Sequence, residues 1–108
     1  MKIKEINEAK QNAKTKLINL LQDTDTIYTV LHNVSKSGLS RVISFYMVND
    51  NKEIININYY ISVLLGYKFD KTHFGLKVKG CGMDMGFHVV DTLSRVLDTN
   101  GKISHRWL

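Results

Sequence analysis

The sequence predicts an α+β domain, a mostly antiparallel four-stranded sheet with helices on one face. Three observations carry that expectation. Apolar residues recur at helical spacing near both ends of the chain, short runs rich in β-branched and aromatic residues fill the stretch between, and turn formers separate those runs. The expected order is α-β-β-β-α-β-α.

Residues 2–22 place Ile3, Ile6, Ala9, Ala13, Leu17, Leu20 and Leu21 on one helical stripe, with most of the lysines off it. This is an amphipathic helix with one face for the domain, ended by Asp23-Thr24-Asp25-Thr26. Ile27 to Val34 reads as a first strand and Val42 to Val48 as a second. Asn49-Asp50-Asn51-Lys52 makes the turn of a hairpin whose other strand is Glu53 to Ile57. Asn58 can cap a short helix from Tyr59 to Leu65, with Gly66 at its C-terminal end. Phe74 to Lys79 is the fourth strand, and Gly80 to Gly86 a glycine-rich loop. Phe87, Val90, Leu93 and Leu97 mark a last helix, stopped by Asn100-Gly101. The tail 102–108 holds the single tryptophan, Trp107, as a residue able to dock back on the core.

No linker, repeat or low-complexity segment divides the chain, so residues 1–108 read as one domain: the helix 2–22, the sheet and helices of 27–97, and the tail. A composition 44% hydrophobic and 23% charged is that of a globular protein and not of a disordered one. Cys81 is the only cysteine, which excludes an intramolecular disulfide and points to a reducing, cytoplasmic setting. No signal peptide is expected, and the longest apolar run is too short to span a bilayer, so no membrane partner is expected. The net charge of +5 favours a polyanion or an acidic protein. The absence of proline and the abundance of Ile, Asn and Lys suggest an AT-rich coding genome.

Two segments stand out chemically. Ser35, Lys36, Ser37, Gly38, Leu39, Ser40 and Arg41 join two strands and offer hydroxyls, cations and backbone N–H groups to a phosphate or carboxylate; the alternative is a hairpin loop in which Gly38 supplies a positive φ. Gly80, Cys81, Gly82, Met83, Asp84, Met85 and Gly86 lead from a strand into a helix, where unpaired N–H groups favour anions. That segment reads as a structural turn, a partner surface or a small-ligand site. If each element crosses the domain once, both segments fall at the same end of the sheet. A third set, Lys68, Lys71, Lys77 and Lys79 interleaved with Tyr67, Phe69 and Phe74, forms either a nucleic-acid surface, joined by Arg41, or a charged strand edge that resists pairing. Catalytic and metal readings fail. Cys81 and His88 lack an orienting third residue, and no His or Cys pair has a zinc spacing, so no catalytic residue, metal or cofactor is expected.

The stretch from Thr29 to Arg41, with Val34-Ser35-Lys36-Ser37-Gly38-Leu39-Ser40-Arg41 within it, and the later Gly80-Cys81-Gly82-Met83-Asp84-Met85-Gly86-Phe87 resemble a family of small phage and prophage proteins. Its members carry a V-S-x-S-G-M-S-R segment and a GCGMDMGF segment; Leu39 stands here in place of the usual Met. The resemblance covers roughly residues 27–97, leaves the first helix outside it, and brings no catalytic role. It implies a phage origin and a bacterial host cytoplasm. By analogy with other small phage proteins lacking catalytic sets, it implies a non-enzymatic, anti-CRISPR-like inhibitor. Such a protein would bind a host effector of nucleic-acid defence, such as a Cas nuclease, by protein–protein contact. Direct nucleic-acid or nucleotide binding through the basic surface and the glycine-rich loops is the alternative.

Overall fold

The computed structural model describes residues 2–33, 41–70, 75–77, 83–99 and 102–108, without the side chains of Asn33 and Met83. The elements are α1 (Ile3–Leu20), β1 (Thr26–Asn33), β2 (Arg41–Val48), β3 (Ile54–Asn56), α2 (Asn58–Leu65), β4 (Lys68–Asp70), β5 (Gly75–Lys77), α3 (Met83–Val96) and β6 (Ser104–Trp107). The fold is α+β. Its sheet, however, is six-stranded and mixed, in the order β4-β5-β2-β1-β6 with β3 also on β2. β6 runs parallel to β1, and the other pairings are antiparallel.

Strand alternation divides the sheet into two unlike faces. Ile27, Ile43, Phe45, Met47 and Leu76 share one face, and their side chains form a single core with Leu17 and Leu20 of α1, Ile61 of α2, Val89, Val90 and Leu93 of α3, and Leu97 just beyond it. All three helices therefore bury their apolar stripes on that side. α1 uses only its C-terminal half for this purpose: Ala13, Leu17 and Leu20 are buried, whereas Ile3, on the predicted stripe, is 77% exposed. The registers put Tyr28, Val30, His32, Val42, Ser44, Tyr46, Lys68, Lys77 and Arg106 on the opposite face.

The two strands beyond the expected four are β4, on β5, and β6, on β1, while β2 itself has three partners. One edge pairs with β1 along its length. The other is shared, Val42 and Ile43 pairing with β5 and Tyr46 to Val48 with β3. Phe45 falls in the gap between those partners. Its carbonyl accepts from the Ile57 N–H at 3.0 Å, and its N–H donates to Asn58 Oδ1 at 2.8 Å. Asn58 is fully buried and also donates through Nδ2 to Ser44 Oγ. The expected helix cap thus has a different task. Asn58 is the first residue of α2 and completes the ladder of β2, while Asn56 Oδ1 accepts the Asn58 N–H and holds the start of the helix. Gly66 ends α2 in the left-handed conformation, φ 79°, where an L side chain is strained.

Three expected boundaries are corrected. The single strand expected at Phe74–Lys79 is a hairpin strand, Gly75–Lys77, preceded by β4; Phe74, Val78 and Lys79 lie outside the described residues. The expected glycine-rich loop 80–86 is helical from Met83 onward, and α3 ends at Val96, with Asp98 at φ 56°, before the Asn100-Gly101 stop. The tail is strand β6 and not an appendage. Trp107 packs against the core, and the ring of Phe87 on α3 meets His105 and Trp107 edge-on with centroids 4.8 and 6.0 Å apart. Such pairs contribute about 0.5–1.5 kcal/mol beyond their burial.

His105 fixes the start of that strand. Its Nε2 and the hydroxyl of fully buried Thr29 share a hydrogen bond of 2.6 Å. Loss of hydration beside Phe87 and Trp107 holds its pKa below the ordinary 6.5. The folded chain therefore favours the neutral ring, whereas the unfolded chain takes up a proton below about pH 6.5. The stability this provides is complete above that pH and is lost as pH falls from there through the folded pKa. Melting curves of wild type and His105→Gln at pH 7.5 and 5.5 check this: acidification should cost the wild type more than the variant. An equal loss in both proteins would remove His105 from the acid response.

Candidate functional site

The face of the sheet that the helices leave uncovered carries two rows of side chains of interest. Cross-strand register builds the first at one end of the sheet. Lys68 on β4 is the partner of Lys77 on β5, Lys77 of Val42 on β2, and Val42 of His32 on β1. Arg41, the first residue of β2 and the partner of Asn33, stands at the same end of the sheet, but strand alternation puts it on the face of Ile43 and not with the lysines. Lys68, Lys77, His32 and Arg41 are all exposed. Asp70 is the acid of this corner, half-buried and two positions from Lys68 on the same face. Two lysines directly opposite each other repel, and like-charge pairs in this position destabilise a sheet. Packing does not explain them, since both extend into solvent.

The second row lies four residues further along β2, about 13 Å away at strand rise. It runs Asn56, Tyr46, Tyr28, Arg106 across β3, β2, β1 and β6. Both tyrosines are partly exposed and Arg106 is exposed. The middle of the face is closed: Val42 of the first row and Ser44 beyond it are buried, and Gly75 sits so close that an added Cβ would lie 2.7 Å from the Val42 side chain.

The structure brings together only part of what the sequence singled out. Lys68 and Lys77 meet at one end of the sheet, and Arg41 stands at that end on the other face. Lys71 and Lys79 lie outside the described residues, as do Ser35, Lys36, Ser37, Gly38, Ser40, Gly80 and Gly82. The strand ends that flank those segments, Asn33, Arg41 and Lys77, stand at the same end of the sheet. Met83, Asp84, Met85 and Gly86 form the first turn of α3. There Asp84 is exposed, Met85 packs against the core, and Gly86 lies under the Trp107 ring. Those last two residues serve packing. His32, Tyr28, Tyr46 and Arg106 were not singled out from the sequence. The signal for the first two was the alternation of Ile27 to His32, which puts Tyr28 and His32 opposite the buried Ile27 and Thr29.

Among the described residues no three His, Cys, Asp or Glu side chains converge as metal ligands, and no helix is long and apolar enough to cross a membrane. No protein-family model matches the chain, and no curated protein or solved structure is significantly similar to it. The case for the site therefore rests on its geometry.

Proposed function

We propose that this chain is a non-enzymatic binding protein that grips the phosphates of a nucleic acid at the cationic end of its sheet. The observation that supports this reading is Lys68 standing directly opposite Lys77 on the face away from the helices. Two ammonium groups that repel in the free protein gain most from an anion placed between them. Cationic phosphate contacts release counterions, so log K should fall linearly with log salt, each lost contact lowering the slope by about 0.7–0.9. Anisotropy titrations of wild type, Lys68→Ala and Lys77→Ala with a labelled oligonucleotide at two ionic strengths test this. Each variant should bind more weakly with a shallower slope. Each should also melt no lower than wild type, because removing one lysine relieves about 0.2–1 kcal/mol of repulsion. Binding without salt dependence would overturn the proposal.

The second reading is the inhibitor that holds a host defence effector by protein–protein contact. A groove of about 520 Å³ between α1 and α2 favours it, lined by Glu5, Glu8, Lys16 and Tyr60, with Tyr59 64% exposed at its side. Large exposed aromatics are typical anchors of protein interfaces. Pull-down from bacterial lysate with and without nuclease treatment separates the two. A partner protein retained after nuclease treatment supports the inhibitor, and recovery that depends on intact nucleic acid supports the first reading.

A further inference from the structure

We infer that the nucleic acid is a single strand and that Tyr28 and Tyr46 stack its bases. This rests on the phosphate-binding reading above and adds the class of nucleic acid. Tyr28 and Tyr46 are direct partners across β1 and β2, so both side chains leave the sheet at neighbouring positions on the face turned away from the helices. The neighbouring residue on β2, Phe45, shows the contrast: it points into the core and is wholly buried. The two tyrosines are half-buried, so each keeps part of its surface in solvent. Arg106 is in register beside Tyr28 and exposed, so a guanidinium ends the aromatic row on one side. Val30 and Val48 flank the row on the same face and extend its apolar floor.

This combination suits unstacked bases. Every base offers a π face, and an aromatic ring on a flat platform receives it whatever the sequence, while a nearby arginine takes the phosphate or stacks in turn. In a duplex the base faces are occupied by their own neighbours, and recognition requires an element that enters a groove. The helices are on the other side of the sheet, and among the described residues this face presents no element that could enter a groove. Along β2 the tyrosine row lies about 13 Å from the lysine pair. A short single strand reaches both, with phosphates at Lys68 and Lys77 and bases at the row, and the buried Ser44 between them needs no contact.

Labelled oligo(dT), oligo(U) and a duplex of equal length are the probes for titration of the intact chain. The expected result is at least a tenfold preference for the single strands. Tyr28→Ala and Tyr46→Ala should each lose about 5- to 100-fold in affinity, at unchanged salt slope. Tyr28→Phe and Tyr46→Phe should keep wild-type affinity, because stacking needs the ring and not the hydroxyl. Comparison of oligo(dT) with oligo(U) reveals whether the sugar is also read. Ring-proton NMR signals of both tyrosines should move upfield on addition of oligo(dT), a readout that needs no variant and no assumption about folding. Equal affinity for the duplex, or tyrosine signals that do not move, would overturn stacking and leave the cationic end as a phosphate site alone. Failure of all three probes to bind would remove both readings.

Discussion

Gly86→Ala should destabilise the protein by about 1–3 kcal/mol, the cost of forcing extra volume into a packed interior. The direction is informative because the same change in an exposed helix stabilises it by about 1 kcal/mol. Gly86 lies in the first turn of α3, where the helix crosses β6. A Cβ built on it would stand 2.5 Å from two ring carbons of Trp107, well inside van der Waals contact. The ring cannot simply swing away, since His105 and Phe87 pack against it with centroids 5.2 and 6.0 Å distant. Either α3 lifts from the sheet or β6 loosens from β1. Trp107 is the only tryptophan of the chain, so its fluorescence reports which residue moves. The control is the same substitution in a Trp107→Ala background. With the ring gone the clash disappears, helix propensity is unmasked, and Gly86→Ala should become neutral or stabilising. If it stayed destabilising there, the Trp107 contact would not be the reason for a glycine at this position.

Elements whose signal lies within one short window were legible in the sequence. The turn after β2 is one: Asn49 Oδ1 accepts the N–H groups of Asn51 and Glu53, each at 3.0 Å, and Lys52 takes a positive φ of 64°. Asn-Asp-Asn-Lys states that chemistry directly. β1, β2 and the C-terminal half of α1 were similarly plain from their periodicity. The missed strands lack such local signals. β6 reads Ser-His-Arg-Trp, without a run of β-branched residues, and is a strand because it lies beside β1, nearly eighty positions away in sequence. β4 is three residues, two of them charged, and is recruited by β5. Tertiary pairing overrides weak local preference in both cases. The candidate site was half legible for the same reason. Lys68 and Lys77 could be singled out as cations, but their placement opposite one another depends on a hairpin that the sequence reading did not contain. Tyr28 and Tyr46 become a pair only once the β1–β2 register is known.

Asn58→Ala should be the other severe substitution, at about 2–4 kcal/mol. About 1–3 kcal/mol comes from the Phe45 N–H, buried and left without an acceptor, and about 1 kcal/mol from the lost bond to Ser44. Asn58→Leu identifies the cause. Leucine restores the volume but offers no acceptor, so it should rescue little if the amide dominates and much if the loss is a cavity. Hydrogen exchange adds a local test: the Phe45 amide should exchange faster in both variants, relative to its neighbours on β2. The effect should be large because Asn58 stands where three elements meet. β3 and β5 share one edge of β2, and neither reaches Phe45. Bridging that edge with a side chain lets the chain leave the sheet at Ile57 and begin α2 at the next residue, directly over the core that Ile57 and Ile61 fill. A third strand long enough to cover Phe45 would delay that departure, carry α2 further along the sheet, and displace the β4–β5 hairpin that follows. The lysine pair is on that hairpin. The geometry of the cationic end therefore depends on a buried asparagine that bonds Phe45 and Ser44 at the edge of β2. If so, Asn58→Ala should weaken nucleic-acid binding even under conditions where the variant remains folded. Unchanged affinity in the folded variant would show that the hairpin holds its place without it.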